Sequence, residues 1–470
     1  MPRTSRRPTV TLPTPSRLQR WGLGLGAAAF LAPLLLDVPG LDPAGERMLA
    51  IFLLAIVLWV TEAIPLTATA VLVILLQVLM LSEQALVGLE TEVLSASDTF
   101  AALADPVIML FLGGFLIAEG ASTFKLDRNL AAVLLRPFAG NARRSVLGLM
   151  LITAVLSMFV SNTATTATMF AVIVPVLAAL PPGRARTGLA LSIPVAANVG
   201  GIGTPVGSPP NAIALGALSA QGHSVSFVGW MLLAVPLMLV LLVLAWVLLT
   251  RRYVPSDTPF DLDTTAEFDR SPAARLFMVI AGGTVLLWLT EPFHGIPSST
   301  VGFLPVVLLL ATQVMSGEDL KRLQWPVLWL VAGGISLGTG IGASGLDDWL
   351  IGLVGWDRLP STILLLLLTT IGVALSSVIS NSATANLLIP LALSLSVAVN
   401  LDPTMLGVLV ALACSLAMVL PISTPPNAIA YATGEVPTQA MATTGIVIGV
   451  VGVVLLSLVM PWLWTTLGLL

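Results

Sequence analysis

The sequence contains few of the residues on which disulfides, metal clusters and acid–base catalysis depend. Its 470 residues include one cysteine, Cys414, and two histidines, His223 and His294. One cysteine cannot form a disulfide within the chain, and so few soft ligands exclude a Cys/His metal cluster. A hydrolase with a serine nucleophile would need a base within hydrogen-bonding reach, and we place both histidines in loops on the outer side of the membrane. We therefore predict that the protein is not an enzyme.

Charged residues are also scarce. They make up 9% of the chain, against about 25% in an average soluble protein, whereas hydrophobic residues make up 57%. Long apolar runs recur along the whole chain, and many reach the ~20 residues that a membrane-spanning helix needs. We predict an all-α polytopic protein of the cell membrane (a plasma membrane or a bacterial inner membrane), with the lipid bilayer around it and no nucleic-acid partner.

The basic residues indicate the orientation of the chain, because Lys and Arg concentrate in cytoplasmic loops. With the N-terminus in the cytoplasm and the C-terminus outside, all but two of the 20 basic residues lie inside, and the exceptions are Arg47 and Arg358. Residues 1–44 then form a basic cytoplasmic tail and the first transmembrane helix, and residues 256–272 form a cytoplasmic linker. This arrangement requires residues 142–180 to enter and leave on one side, as a re-entrant hairpin or as a full hairpin with its tip outside.

The chain contains two copies of three sequence blocks in the same order, at an offset of about 220 residues. The pairs are "DPVIMLFLGGFLIAEG" from Asp105 with "WPVLWLVAGGISLGTG" from Trp325, "SNTAT" from Ser161 with "SNSAT" from Ser380, and "GSPPNAIA" from Gly207 with "STPPNAIA" from Ser423. Three matched blocks imply an internal duplication. The first block holds a glycine pair in each copy, which we interpret as close helix packing: Gly113 and Gly114, and Gly333 and Gly334.

By the distribution of basic residues, matching blocks face opposite sides of the membrane. We therefore predict two inverted-topology repeats, which in transporters place the substrate site between discontinuous helices near the midplane. The first repeat spans residues 45–255 and contains the hairpin at 142–180. The second spans residues 273–470 and contains a re-entrant hairpin at 361–399.

Uncharged polar residues are concentrated in the second and third blocks, in the middle of apolar segments. Non-helical backbone is tolerated at membrane depth only where it is buried or lines a cavity. We predict that the Ser-Asn motifs interrupt helices, with new helices beginning at Ala164 and Ala383. The double prolines at Pro209 and Pro425 would start two more. Four helix N-termini, each with a partial charge of about +0.5, would together match a dianion.

The same motifs provide hydroxyl and amide oxygens. Ser157 lies four residues before Ser161 and therefore on the same helix face, and Ser376 and Ser380 repeat this spacing. With an Asn amide oxygen and backbone carbonyls they form an uncharged, oxygen-only cage, which suits Na⁺, whereas a divalent metal would normally need carboxylates. A single hydroxyl in a helix often bonds the i−4 carbonyl instead, and we interpret Thr168 in this way.

The motif pairs, together with "TEAIP" at residues 61–65, resemble those of the divalent anion:sodium symporter family, the sodium–dicarboxylate, citrate and sulfate transporters. The resemblance covers roughly residues 45–470. It implies about eleven transmembrane helices, two re-entrant hairpins, broken helices, a homodimer and an elevator motion of a transport domain against a scaffold. It also implies sodium-coupled symport of a small dianion, for which a C4-dicarboxylate such as succinate or malate is our first choice.

The resemblance assigns roles to residues of the matched motifs. It implies that the substrate is bound by Asn162, Thr163, Ser208, Pro209, Asn381, Ser382, Thr424 and Pro425. It implies two symmetry-related sodium sites, one formed by Ser157, Ser161, Asn162 and Gly207, the other by Ser376, Ser380, Asn381 and Ser423. Ser382 stands where many relatives have Thr, which leaves the size and identity of the substrate open.

Other functions remain as alternatives. An exchanger of the same fold would swap one dianion for another, but such relatives tend to carry a basic residue beside the first motif, where this chain has Ala164, Thr165 and Thr166. A sodium–sulfate symporter would share the motifs. A channel is disfavoured, because the two matched sites lack a ring of charged side chains.

Overall fold

The computed structural model describes residues 16–89, 93–138, 140–255, 267–353, 356 and 359–470. Arg358, the arginines at positions 3, 6 and 7, and residues 256–266 of the predicted linker lie outside these ranges. Within the described ranges the chain is helical and has no strand, and one isolated β-bridge joins Ser82 and Leu94. The all-α fold predicted from the sequence is confirmed.

The helices divide into two series that follow the same order. The N-terminal half contains α1 (Arg17–Leu35), α2 (Pro43–Thr61), α3 (Leu66–Leu81), α4 (Ala96–Ala101), α5 (Pro106–Thr123), α6 (Leu126–Leu135), α7 (Ala142–Phe159), α8 (Asn162–Ala179), α9 (Arg184–Gly200), α10 (Pro209–Ala220) and α11 (Phe227–Arg252). The C-terminal half contains α12 (Pro272–Leu289), α13 (Glu291–His294), α14 (Ser298–Ala311), α15 (Gly317–Lys321), α16 (Trp325–Ala343), α17 (Leu346–Gly352), α18 (Ser361–Val378), α19 (Asn381–Ala398), α20 (Pro403–Ser415), α21 (Pro425–Ala432), α22 (Thr438–Val454) and α23 (Met460–Thr466). Helices α5 to α11 thus correspond to α16 to α22.

Ten helical segments of the described residues are long and apolar enough to cross a membrane. They include the four helices α7, α8, α18 and α19, which form the two predicted hairpins. Shorter apolar helices of 10–17 residues, α3, α14 and α20, also occur. The structure therefore has the helices of a multi-pass membrane protein, and the count of about eleven spans stays a prediction.

Each hairpin turns on a serine that caps its second helix. Ser161 Oγ accepts from the N–H of Ala164 at 3.2 Å, and Ser380 Oγ accepts from the N–H of Ala383 at 3.2 Å. Helices α8 and α19 therefore begin at Asn162 and Asn381, two residues earlier than predicted, because a serine at the N-cap satisfies a free N–H of the first turn. The predicted starts of α10 and α21 at the double prolines are confirmed.

The two glycine pairs lie where helices touch, as predicted. A side chain at Gly113 would overlap the backbone of Gly302 on α14, and a Cβ at Gly333 would lie 2.5 Å from the Cβ of Ala70 on α3. The second glycine of each pair packs on other elements, since Gly114 lies against Val206 and Gly334 lies against Asn386 on α19 and Ile213 on α10. The glycines bring α5 and α16 close both to their helix neighbours and to the broken helices.

Hairpins and broken helices pack on one another. Helices α7 and α8 contact α9, and α18 and α19 contact α20. The halves also interlock, because α10 packs on α19 and α20 while α21 packs on α8 and α9. The two hairpin turns and the two helix breaks, at residues 201–208 and 416–424, consequently meet in one region.

Candidate functional site

A cavity of about 320 Å³ lies where the hairpin turns meet the helix breaks. Its lining includes every residue that the resemblance assigned to the substrate: Asn162, Thr163, Ser208, Pro209, Asn381, Ser382, Thr424 and Pro425. It also includes four residues assigned to sodium alone, Ser161, Gly207, Ser380 and Ser423. The other two residues assigned to sodium alone, Ser157 and Ser376, are fully buried beside the cavity. Folding thus gathers motifs from both halves around one small space.

The rest of the cavity wall is uncharged. Phe111 and Phe115 of α5 and Leu330 of α16 contribute apolar surface, and Thr67 and Gln324 add polar groups. Among the described residues, no acidic or basic side chain lines this cavity. Its volume lies near the lower end of the ~300–1,000 Å³ range for small-molecule pockets. An anion bound here would depend on dipoles, hydroxyls and mobile cations to balance its charge.

The four helices that begin at the cavity differ in the donors they offer. Helices α8 and α19 start with Asn, so their first backbone N–H groups have no partner within the helix. Helices α10 and α21 start with two prolines, which have no N–H, and the next N–H of α21, from Asn427, donates to Thr424 Oγ1 at 3.3 Å. Backbone donation therefore comes chiefly from α8 and α19. The partial charge expected from the helix ends falls from about +2 to roughly +1.

The first oxygen cluster lies beside the cavity and consists of Ser157 Oγ and the carbonyl oxygens of Ala197 and Gly207, gathered around the side-chain amide of Asn162. Ser157 Oγ donates to Ala197 O at 2.9 Å. The hydrogen bonds place the Asn162 amide nitrogen toward these oxygens, where it donates to Gly207 O at 3.1 Å and to Ser157 Oγ at 2.5 Å. If the amide turned over, its oxygen would face the other three, and a monovalent cation among the four oxygens would be needed to stabilise them.

The second oxygen cluster is the counterpart in the other half, formed by Ser376 Oγ, Asn381 Oδ1 and Cys414 O, with Ser423 at the position that matches Gly207. Ser376 Oγ lies 2.8 Å from Asn381 Oδ1 and donates to Cys414 O at 2.7 Å, which repeats the pattern of the first cluster. Ser423 stands where the first cluster has glycine, and its Oγ donates to Ser377 O at 3.2 Å while accepting from a backbone N–H of its own loop at 3.0 Å. The hydroxyl of this predicted ligand is therefore already engaged.

Two further polar residues of the site were missed in the sequence. Asn198 lines the cavity and donates from Nδ2 to Thr424 Oγ1 at 3.1 Å. Ser415 Oγ lies 3.3 Å from Ser208 Oγ. Both belong to apolar helices immediately before a helix break, and a lone amide in such a helix is a signal that could have identified Asn198, since intramembrane polar residues are rarely without a role.

Our interpretation of Thr168 as a hydroxyl that bonds within its own helix is wrong. Its hydroxyl does not bond the i−4 carbonyl but donates to Asp127 Oδ2 at 2.8 Å. Asp127 lies on α6 and is largely buried, so this bond ties α6 to the second helix of the first hairpin.

The family to which the chain belongs follows from its similarity to known proteins. The family described as "Sodium:sulfate symporter transmembrane region" matches residues 18–470. The chain belongs to this family. It is the family that the motif pairs predicted, its coupling ion is Na⁺, and its members are transporters in the membrane.

Individual relatives cover almost the whole chain. A protein named sodium-dependent dicarboxylate transporter SdcS from Staphylococcus saprophyticus is 32% identical over 485 residues, which cover 94% of this chain and 91% of that protein. The protein of the same name from Staphylococcus aureus strain RF122 is 31% identical over 480 residues, 93% of this chain and 90% of that one. The crystal structure of the YdaH transporter from Alcanivorax borkumensis shares the fold, with a TM-score of 0.56 and 15% identity over 91% of this chain and 99% of that chain.

Proposed function

We propose that the protein is a sodium-coupled symporter of a small divalent anion, and that this anion is a C4-dicarboxylate such as succinate or malate. The cavity carries the proposal, because it brings both Ser-Asn motifs and both double-proline loops around one space that no charged side chain of the described residues lines. Beside it, Ser157 Oγ and the carbonyl oxygens of Ala197 and Gly207 would form an environment for Na⁺ once the Asn162 amide turns its oxygen toward them. The relatives named as sodium-dependent dicarboxylate transporters support the substrate class.

The anion would lie in the cavity between α8 and α19. Backbone N–H groups and side chains of Asn162 and Thr163 would contact one carboxylate, and those of Asn381 and Ser382 the other. Ser208 and Thr424 would add hydroxyl donors, while the rings of Pro209 and Pro425 shape the wall. A cavity of about 320 Å³ favours a short dicarboxylate over a bulkier anion.

Charge balance explains why sodium would be required. The helix ends supply roughly +1 of partial charge against −2 on the substrate, so at least one mobile cation must enter with it. Two oxygen clusters provide two places for Na⁺. Net positive charge would move inward if more than two ions accompany each dianion.

The remaining alternative within the fold is exchange of one dianion for another. Uptake of radiolabelled succinate into empty proteoliposomes distinguishes the two, with Na⁺ or choline outside. Symport predicts uptake only with Na⁺. Equal uptake in both, or uptake that requires a dicarboxylate preloaded inside, would favour the exchanger, and sulfate uptake that exceeds succinate uptake would change the proposed substrate.

We also propose the architecture expected of such a carrier. Residues 1–44 form the tail and first helix, 45–255 and 273–470 form two inverted repeats joined by the linker 256–272, and the hairpins at 142–180 and 361–399 re-enter the membrane. Hairpins and broken helices pack on one another, while α5 packs on α14 and α3 on α16, and α16 also contacts α10 and α19. We propose that the hairpins and broken helices move as an elevator against the remaining helices, within a homodimer.

The proposed orientation places the N-terminus in the cytoplasm and the C-terminus outside. One of its two exceptions, Arg47, has a structural role, since it donates at 2.7 Å both to the carbonyl of Met80, in the last turn of α3, and to the carbonyl of Val87, in the loop that follows. Single cysteines at positions 144 and 184, in a Cys414→Ser background, should react with an impermeant thiol reagent only from the cytoplasm. Labelling of position 184 from outside intact cells would contradict the inverted repeats.

A further inference from the structure

Asn198 joins the two halves at the cavity wall. It lies near the end of α9, is 3% exposed and lines the cavity. Its Nδ2 donates to Thr424 Oγ1 at 3.1 Å and to Asn427 Oδ1 at 3.1 Å, both at the start of α21 in the other half. The amide of a first-half residue therefore determines the surroundings of a hydroxyl of the second half at the cavity wall.

The hydrogen bonds of Thr424 determine which way its hydroxyl proton points. A hydroxyl has one proton and two lone pairs. Thr424 Oγ1 accepts from Asn198 Nδ2 at 3.1 Å and from the N–H of Asn427 at 3.3 Å, which occupies both lone pairs. Among the described residues, Thr424 Oγ1 has no acceptor for its own proton. Because Thr424 lines the cavity, its hydroxyl is left as a donor to whatever the cavity holds.

The matching position in the other half is different. Ser157 and Ser376 donate to the carbonyls of Ala197 and Cys414, so the residues that follow, Asn198 and Ser415, correspond. Ser415 Oγ lies 3.3 Å from Ser208 Oγ, and either hydroxyl can be the donor. Asn211 Oδ1, the counterpart of the acceptor on Asn427, is buried and has no partner in the described part of the chain. The hydroxyl of Ser208 is therefore free to donate or to accept.

We propose that Asn198 is a positioning residue that makes Thr424 an obligatory hydrogen-bond donor to one carboxylate of the substrate, an inference that rests on the proposed function. The Thr424 end of the cavity then requires a group that only accepts hydrogen bonds, which an ionised carboxylate is. The Ser208 end accommodates either a carboxylate or a group that also donates, such as an amide. A site whose polar groups can act only as hydrogen-bond donors rejects a ligand that would leave those donors without an acceptor.

The substitution Asn198→Ser reproduces the residue found at the matching position. It removes one fixed donor to Thr424, whose hydroxyl can then turn away from the cavity. We expect the KM for succinate in sodium-driven uptake by proteoliposomes to rise about tenfold, the change that the loss of one hydrogen bond to a charged group would give, with little change in maximal rate. Ser192→Ala is the matched control, since Ser192 is buried on the same helix and its Oγ bonds Leu189 O at 2.7 Å. It should leave KM unchanged.

A double substitution distinguishes positioning from simple support of the fold. Thr424→Val should raise KM for succinate by a similar factor, Thr424→Ser should retain the wild-type KM, and Asn198→Ser should add nothing in the Thr424→Val background. The monoamide of succinate should compete with succinate in the wild type and compete relatively better in Asn198→Ser, because Thr424 then becomes able to accept.

Three results would overturn the inference. One is an additive effect of the two substitutions on KM, and another is a loss confined to maximal rate with unchanged selectivity for the monoamide. The third is an unchanged KM for succinate in Thr424→Val, which would show that the Thr424 hydroxyl does not bind the substrate even if Asn198→Ser does not fold. Absence of any sodium-driven dicarboxylate uptake by the wild type would instead overturn the proposed function, and this inference with it.

Discussion

The first and second oxygen clusters occupy matching places in the two halves, but one position separates them. Gly207 contributes only its backbone to the first cluster, and a Cβ there would lie 2.5 Å from Gly201 O. Ser423 has room for a side chain in the second cluster, and its hydroxyl donates to Ser377 O at 3.2 Å. The first cluster would open to a cation when the Asn162 amide turns over, whereas the second also contains the Ser423 hydroxyl, which is held by hydrogen bonds to the backbone. We expect the first cluster to bind Na⁺ more tightly.

The two halves also contribute different hydroxyl arrangements to the cavity wall. One half presents a hydroxyl fixed by Asn198, and the other presents the adjustable pair Ser208 and Ser415. The duplicated backbone supplies the helix breaks, whereas substitutions at single positions make the two ends of the site unequal. This comparison leads to experiments in which matching residues of the two halves are changed in parallel.

The largest effect is expected from the two asparagines, because each belongs to an oxygen cluster and to the cavity. Asn162→Ala and Asn381→Ala should both reduce sodium-driven succinate uptake to background. The comparison becomes sharper in thermal unfolding, since a ligand stabilises the state that binds it. Stabilisation by Na⁺ should disappear in Asn162→Ala and persist in part in Asn381→Ala, where the first cluster is intact.

Thr153→Ala is the control for these variants, because Thr153 is a buried hydroxyl of the same hairpin that bonds Leu149 O at 2.6 Å. It should transport normally. Near wild-type uptake by either asparagine variant would show that the residues of the site are wrongly assigned.

A smaller pair of effects, equal in direction but unequal in size, is expected at Gly207 and Ser423. Gly207→Ala forces a methyl group against Gly201 O and should raise the Na⁺ concentration for half-maximal uptake more than tenfold. Ser423→Ala removes a hydroxyl already used within the protein and should raise it less than fivefold, which corresponds to a hydrogen bond worth about 1 kcal/mol. A larger effect at Ser423 than at Gly207 would reverse the proposed order of the two clusters.

The smallest effects concern the bonds that hold the hairpins to their neighbours. Thr168 donates to the largely buried Asp127 at 2.8 Å, and in the other half burial raises the pKa of Asp347 while a hydrogen bond from Ser394 opposes that shift. Thr168→Ala should lower the free energy of unfolding by about 1.5 kcal/mol, since the bond is made to a carboxylate, and Ser394→Ala should lower it less. Thermal unfolding measures both. A normal unfolding temperature in Thr168→Ala would mean that water replaces the hydroxyl.

Much of this site could be predicted from sequence because its residues come in matched motifs. The pairs at Ser161 and Ser380, and at the double prolines, located the residues that line the cavity before any contact was known. The helix starts were misplaced by two residues, since we took the asparagines for the interruption although the serine before each one caps the helix. The sequence also shows that Pro209 and Pro425 have no backbone N–H to donate, and we overlooked this.

The remaining features depend on contacts between the halves. Asn198 contacts Thr424, which is 226 residues away in sequence, and no local sequence pattern predicts such a pair. Thr168 looked like an ordinary helix hydroxyl because its acceptor, Asp127, lies 41 residues away. The different use of Gly207 and Ser423 is likewise visible only when the backbone atoms near each position are known.

We expect the uncharged cavity to bind a dianion only when sodium occupies the oxygen clusters beside it. Calorimetric titration of the purified wild-type protein with succinate, at constant ionic strength in NaCl, KCl or choline chloride, tests this most directly. We expect binding in NaCl that tightens as the Na⁺ concentration rises, and no measurable binding in KCl or choline chloride. Equal affinity for succinate in all three salts would contradict the account.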